Sequence, residues 1–519
     1  MGKRKALLGA LLRRYLKPGG SGIFLLDIHC YDPPECLLVT DADQIAKGRR
    51  TGLFTEESME AMIKYYEGET LGLGGKTAGS PGLIREPIDN SYEACMEESR
   101  LVMLTCAKGA MKAANIMPRD VDILITACSF TPVPSLSAMV ASYFGMRSDV
   151  LHYSLGGQGC TSGIIEVELA AHLLKAKAGK VALLLAHENI TNGFYPGNDK
   201  QLLVANVLFK LGGSAAVLST RPRDRRQAKY ELVCTERTIR TSAADLDCIQ
   251  MRTDAEGHVG IQLEHRQIRK SAAEAIAANL RRLGPRVLPM CEMTKVARNP
   301  KYVPDFSKAF AHLLIHPGAK IVIDQVADAL KFPESAKAPS RATLERFGNT
   351  SLSSTFYILA NIESTTGVKR GEKVLQMAMG SGFKAATAVW RARRAVRTKH
   401  AAWAQREGEF AKAAPGTFSK TAGCITCDAP DYQSASSSAA APAPAAAPAE
   451  AGDADGDVPA LPQPKQAPPQ HAPEPDQAPP PPPAQAPQQL QTPRTPKAQQ
   501  VPAGAQLFAV AAALETAPL

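Results

Sequence analysis

Short apolar segments, each long enough to cross a sheet once, alternate along this chain with segments of helical period. No other feature constrains the fold as tightly. VDILITAC (121–128) is a brief apolar run with β-branched residues, the mark of a buried strand. VLHYSL (150–155) reads as another, leading through glycines into the helical run IIEVELAAHLLKAKAG (164–179). KVALLLAHENI (180–190) and GGSAAVLST (212–220) read as two more strands. The scheme then recurs. HLLIH (312–316) predicts a strand closed by Pro317–Gly318, and AKIVIDQVADALK (319–331) a helix. SRATLERFGNTSLSSTFYILANIES (340–364) predicts a long helical stretch with a loop at its front, and KVLQMAMGSGFKAATAVWRA (373–392) a closing pair of strands. Two successive rounds of strands with covering helices predict an α/β protein with internal duplication, in which the repeats share topology rather than letters.

The pattern stops well before the chain does. Of 519 residues 45% are hydrophobic, enough for a substantial core, but from about Ser434 the sequence becomes SASSSAAAPAPAAAPAEAGDADGD and then a proline-rich run. With no aromatics and few branched aliphatics, such a segment cannot offset the entropy of ordering and is expected to be a disordered, solvated tail. The terminal AQLFAVAAALETAPL is too short to span a bilayer, and no run of eighteen apolar residues exists, so no transmembrane helix is predicted. In KRKALLGALLRRYLK (3–17), Leu8, Leu11, Leu12, Tyr15 and Leu16 fall at helical spacing among basic residues. That segment is compatible with an anionic membrane surface, a transit-like leader or a packed helix, and the first acidic residue is Asp27.

The formal charge is +10. Basic residues cluster at the start, at RPRDRR (221–226) and at RARRAVRTKH (391–400) without interleaved aromatics, which speaks against nucleic acid and for a membrane surface or an anionic ligand. Eleven cysteines are scattered with no disulfide-scaffold spacing and no secretory signal before them, as expected in a reducing compartment. The CITC at 424–427 has no partner pair to complete a metal site. His312 and His316 have i,i+4 spacing, which suits a metal on a helix, but no third ligand accompanies them, so no metal is expected.

One cysteine has an unusual setting. In SLGGQGCTSG (154–163), Cys160 follows three glycines and opens a helix. Glycines permit close backbone approach, and a helix N-terminus favours a thiolate, so the stretch suits a nucleophile; an incidental core cysteine in a turn suits it as well. His316 ends a strand before a turn. Asn349 in RFGNTS carries an amide that can donate to an oxyanion or simply make a turn. The glycine loop GSGF (380–383) can offer a backbone N–H.

Taken together, FLLDIHCYDPPE (24–35), SFTPVPSLSAMV (129–140), SLGGQGCTSG, HENITNGFYPGN (187–198), LFKLGGSAAVLS (208–219), YVPDF (302–306), RFGNTS (346–351) and MGSGFK (379–384) closely resemble the plant-type 3-ketoacyl-CoA synthases over about residues 22–392. These are the condensing enzymes of very-long-chain fatty acid elongation. The resemblance implies a thiolase-like, duplicated αβαβα fold, shared with type III polyketide synthases. The chain would divide into a basic segment (1–21), an N-terminal half carrying the cysteine (22–222), a C-terminal half carrying histidine and asparagine (223–395) and the tail (396–519).

The resemblance further implies that Cys160 accepts the acyl chain and that His316 and Asn349 are catalytic. His312 matches another histidine of the family, and Gly380, Gly382 and Phe383 match its substrate loop. The expected thiol is one lowered in pKa by the helix terminus and His316. The expected reaction joins acyl-CoA and malonyl-CoA into a 3-oxoacyl-CoA with no cofactor, in a homodimer working beside the reductases and dehydratase of an elongation cycle. The resemblance also implies a place at the endoplasmic reticulum membrane, but with no transmembrane segment predicted in the chain a peripheral or a cytosolic form is equally open. A polyketide-type condensing enzyme and a non-catalytic scaffold are the rival readings. Departures are Ile239 and Glu345 where the family has histidines, no membrane-spanning pair at the N-terminus, and no apolar insert between LGPRVLP (283–289) and YVPDF.

Overall fold

The structure, a computed structural model, describes residues 20–68, 71–299 and 302–404. The basic N-terminal segment up to residue 19 and the tail from 405, with its CITC, lie outside the described residues. Thirteen strands form within them: β1 (Phe24–Cys30), β2 (Leu38–Thr40), β3 (Lys76–Ala78), β4 (Ile123–Ala127), β5 (Leu151–Leu155), β6 (Val181–His187), β7 (Gly213–Ser219), β8 (Tyr230–Ile239), β9 (Ile249–Thr253), β10 (Val259–Leu263), β11 (His312–Ile315), β12 (Lys373–Gly380) and β13 (Lys384–Ala392).

Nine of them make one sheet in the order β11-β12-β13-β8-β1-β7-β6-β4-β5. The duplication is visible in the pairing. β4 runs parallel to β6, β6 antiparallel to β7 and β7 antiparallel to β1. On the other side β11 runs parallel to β12, β12 antiparallel to β13 and β13 antiparallel to β8. The two halves are thus the same ladder used twice, joined where Phe24 and Leu25 of β1 meet Glu231 and Tyr230 of β8.

Alternation along the strands assigns each face to a layer, because successive side chains point to opposite sides. Leu183 and Leu185 of β6 pack with Val102, Cys106 and Ala110 of helix Tyr92–Ala113. Their neighbours Ala182 and Leu184 face the other way, into a core shared by both halves. That core holds Val374, Ala378 and Trp390 of the second half and two central helices, Ser162–Ala176 and Ser354–Ser364. Leu375 and Met377 of β12 face out again, against Ile276 and Leu280 of helix His265–Val287 and Ile323 of helix Lys320–Ala329. Helix, sheet, helix pair, sheet, helix is the αβαβα layering expected from the sequence. Small residues on the inward faces let the two halves of the sheet close over two buried helices.

Two expectations are corrected. VLHYSL does form a strand, but β5 lies at the sheet edge with Leu151 42% and Tyr153 37% exposed, so it is not buried. The stretch 340–364 is two helices, Ala338–Phe347 and Ser354–Ser364. Gly348 breaks it at φ +67°, and Asn349 bridges to Phe209 beside the sheet. Among the described residues no helix is long and apolar enough to cross a membrane.

Candidate active site

The parallel strands of each half point their carboxyl ends at one place, the position where layered α/β folds build their sites. Cys160 arrives there from β5 through a turn at Gly159–Thr161 that runs into the central helix Ser162–Ala176. Gly159 sits at φ +62°, and a Cβ on it would lie 2.6 Å from Ser381 Oγ. On the other flank a Cβ on Gly380 would lie 2.9 Å from the Cys160 nitrogen. Both glycines therefore let the β12–β13 turn close directly over the cysteine. The second central helix begins at Ser354 after a similar turn, Ser351–Ser353, and a Cβ on Gly163 would come within 2.2 Å of the Leu352 carbonyl. Two helix N-termini thus converge beside the sulfur.

The sulfur itself accepts a hydrogen bond, at 3.4 Å, from Ser351 Oγ. That hydroxyl also lies 3.0 Å from Glu188 Oε2. Ser351 has φ +52°, uncommon outside glycine, and its N–H donates to Asn349 Oδ1 at 2.8 Å. Asn349 is itself fixed on both sides of its peptide, by N–H to Leu208 O (3.3 Å) and by Lys210 N–H to its carbonyl (3.1 Å). With its side-chain oxygen occupied, the amide nitrogen is the end left to donate. Glu188 follows β6 and is held from above, its Oε1 accepting from Ser129 N–H at 2.9 Å. The flanking loop is clamped by Glu98, which accepts from the N–H groups of Ile190 (2.6 Å) and Thr191 (2.9 Å).

His316 stands immediately after β11, its N–H donating to Met377 O of β12 at 2.9 Å, three residues before the Gly380 that packs on Cys160. Its ring is buried, and Nδ1 has no hydrogen-bond partner among the described residues. Burial holds the imidazole down to about 4, so it is uncharged at neutral pH and one ring nitrogen carries a proton to donate. The thiol departs from expectation. Burial pushes Cys160 up to about 11; the Ser351 hydrogen bond opposes that rise and the Glu188 charge adds to it. The helix termini do not outweigh desolvation in the resting protein, and no hydrogen bond joins Cys160 to His316.

Cys160, Glu188, Ser129, Ser351, Ser381 and Gly382 line one wall of a cavity of about 550 Å³. The rest of the lining is mostly apolar, with Phe54, Met59 and Met62 on one side and Ile249, Met251 and Ile261 of the β9–β10 hairpin on another. His316 and Asn349 are almost fully buried, and neither is among the residues lining this cavity. Gly382 borders the cavity at φ +86°.

Two residues anticipated for the site stand elsewhere. Phe383 is buried in the outer core of the second half, its carbonyl accepting from Arg240 N–H at 2.7 Å. His312 opens β11 at the end opposite His316 and shares a hydrogen bond of 3.0 Å with Glu372. On a strand, i,i+4 spacing separates two residues by roughly 13 Å, so one ion cannot bind both imidazoles. Ile239 is 60% exposed at the end of β8, paired with Lys384. Glu345 contributes its carbonyl to Gly74 N–H at 3.0 Å.

Comparison with known proteins bears directly on this arrangement. Residues 16–300 match the family model described as FAE1/Type III polyketide synthase-like protein, and residues 307–392 that of the 3-oxoacyl-(acyl-carrier-protein) synthase III C terminal. The chain is 39% identical over 407 residues to 3-ketoacyl-CoA synthase 2 of Arabidopsis thaliana, covering 75% of this chain and 76% of that one. It belongs to the 3-ketoacyl-CoA synthase family. A further relative, 3-ketoacyl-CoA synthase 11 of the same plant, is 38% identical over 76% of this chain and 79% of its own. The fold is that of type III polyketide synthases. Germicidin synthase from Streptomyces coelicolor superposes with a TM-score of 0.52 at 20% identity, covering 71% of this chain and 99% of its own. A fungal type III polyketide synthase, ORAS, gives 0.57 at 18% identity, covering 72% and 100%. As a family member the chain is a condensing acyltransferase of the kind that elongates fatty acyl chains.

Ser351, Glu188 and Ser129 were not singled out from the sequence. Ser351 lies two residues from Asn349 and Glu188 inside HENITNG, yet nothing in their spacing says that two distant loops meet at one sulfur.

Proposed function

We propose that Cys160, His316 and Asn349 carry the decarboxylative Claisen condensation of a long-chain acyl-CoA with malonyl-CoA in this protein. Cys160 attacks the acyl-CoA carbonyl and expels CoA, leaving an acyl thioester whose chain lies in the apolar cavity. Malonyl-CoA then binds with its thioester oxygen facing His316 and Asn349. Loss of carbon dioxide places negative charge on that oxygen, and an uncharged imidazole N–H and a fixed amide N–H are donors suited to it. The carbanion attacks the acyl carbonyl, whose oxygen is received by the N–H groups of Cys160 and Gly382. Collapse frees the cysteine and yields a 3-oxoacyl-CoA two carbons longer. None of these steps calls for a metal or organic cofactor.

The observation that carries this reading is a thiol on the wall of a largely apolar cavity of about 550 Å³, where two helix N-termini and a glycine turn meet. Incubation with a series of acyl-CoAs and malonyl-CoA, read by mass spectrometry of the CoA products, is its test. A single two-carbon extension that disappears in Cys160→Ala is expected. Products carrying several malonyl units would instead mean a polyketide-type enzyme, and no product from any primer would mean a scaffold.

The exposed edge of β5 supports a homodimer, since an unprotected edge with apolar residues is a template for pairing with another chain. Family membership supports a place at the endoplasmic reticulum membrane and work beside the reductases and dehydratase of an elongation cycle, with peripheral attachment or a cytosolic form as the alternatives for a chain without a membrane-spanning helix among its described residues.

A further inference from the structure

The thiol proton has a marked route, and it does not lead to His316. Cys160, Ser351 and Glu188 form a continuous chain of 3.4 and 3.0 Å contacts, and all three line the same cavity. Ser351 owes its aim to a left-handed backbone held by Asn349, the kind of local strain that persists where the surroundings dictate it. Glu188 is fixed from the opposite side by Ser129, through its N–H at 2.9 Å and its hydroxyl at 3.2 Å. We propose that Glu188 is the proton acceptor for Cys160, acting through the Ser351 hydroxyl.

The step balances. Ser351 has one hydroxyl proton, which can serve either contact; turned to Glu188 Oε2 it leaves Oγ free to take the Cys160 S–H proton as its own passes to the carboxylate. The sulfur pair then forms the bond to the acyl carbonyl carbon, the carbon–sulfur bond to CoA breaks, and CoA leaves as its thiolate. When the later condensation expels Cys160 as a thiolate, the stored proton returns by the same path. The electrostatics favour this route over simple ionisation. Losing the thiol proton to water would put two negative charges, sulfur and carboxylate, side by side in a desolvated wall. Internal transfer keeps a single charge and moves it from oxygen to sulfur. Burial raises both the thiol and the carboxyl.

The charged and titratable groups around the relay are His187 and the Cys128 thiol beside Glu188, Glu98 behind His187, and Lys384 facing Cys160. Any pH dependence is read against them.

This inference rests on Cys160 being the acyl acceptor, and its test separates the two. The full-length wild type, Glu188→Gln and Ser351→Ala are mixed with a long-chain acyl-CoA alone, and the acyl adduct on the Cys160 peptide is followed in time. In parallel, iodoacetamide labelling of the same peptide is measured against pH. Both variants are expected to acylate at least ~100-fold more slowly, and the low-pH limb of wild-type labelling that follows Glu188 ionisation is expected to vanish in both. A purely electrostatic Glu188 has the opposite sign, since removing its charge eases ionisation of the thiol. Glu188→Gln acylating as fast as wild type or faster overturns the relay, as does a normal rate in Ser351→Ala. No adduct on Cys160 of the wild type overturns the nucleophile assignment itself.

Discussion

His316 illustrates how burial sets the chemistry of a single residue. Its imidazole lies at about 4 instead of the ordinary 6.5 because charging it would require a buried cation with no partner. A donor that stays uncharged holds an enolate oxygen by hydrogen bonding without drawing the malonyl carboxylate into an ion pair. His316→Ala is therefore expected to leave acylation of Cys160 intact while lowering the condensation rate by about 2.7–4 kcal/mol of barrier, some two to three orders of magnitude. Single-turnover acylation beside steady-state product formation separates the two. The same depression affects stability. In the unfolded chain the imidazole takes up a proton below about 6.5, whereas the folded protein refuses it until about 4. Stability falls as pH drops through that window, by about 3 kcal/mol in all from this residue. Denaturant melts across the window should show a smaller loss in His316→Gln than in wild type.

At the scale of elements the site depends on close approach of two helix starts. Gly163 faces the Leu352 carbonyl at a distance no side chain tolerates. Gly163→Ala is expected to cost about 1–3 kcal/mol of stability and to slow acylation, because the helix behind Cys160 is pushed away from the turn carrying Ser351. Thermal melts and adduct formation check both effects. The elements were partly legible in the sequence. β4, β6, β7 and the β12–β13 hairpin announced themselves as apolar runs with branched residues, the quoted family blocks contain Cys160 and Asn349, and His316 ends the predicted strand HLLIH. The split at Gly348 was hidden, because helical residues flank it on both sides and a single glycine can be tolerated inside a helix. So was the exposure of β5, since an apolar edge strand carries the same letters as a buried one. Glu188 and Ser351 could not be paired by inspection, because their meeting is a property of the folded layers and no local pattern encodes it.

At the scale of the whole molecule, the proposed function gives the cavity a role in substrate range and the β5 edge a role in assembly. Ile261 lines the cavity from the β9–β10 hairpin, outside the layered core. Ile261→Trp is expected to shorten the longest acyl-CoA accepted while leaving iodoacetamide labelling of Cys160 unchanged, measurable with a chain-length series. Leu151→Lys on β5 is expected to halve the mass seen by light scattering if two copies meet along that edge.

The central claim is that one malonyl unit is decarboxylated and joined to one acyl chain on Cys160. Malonyl-CoA labelled with carbon-13 in its free carboxylate, supplied with the preferred acyl-CoA, tests it most directly. One labelled carbon dioxide released per 3-oxoacyl-CoA formed, and no 3-oxoacyl-CoA from Cys160→Ala, is the predicted result. Several labelled carbon dioxides per product, or undiminished condensation in Cys160→Ala, would contradict it.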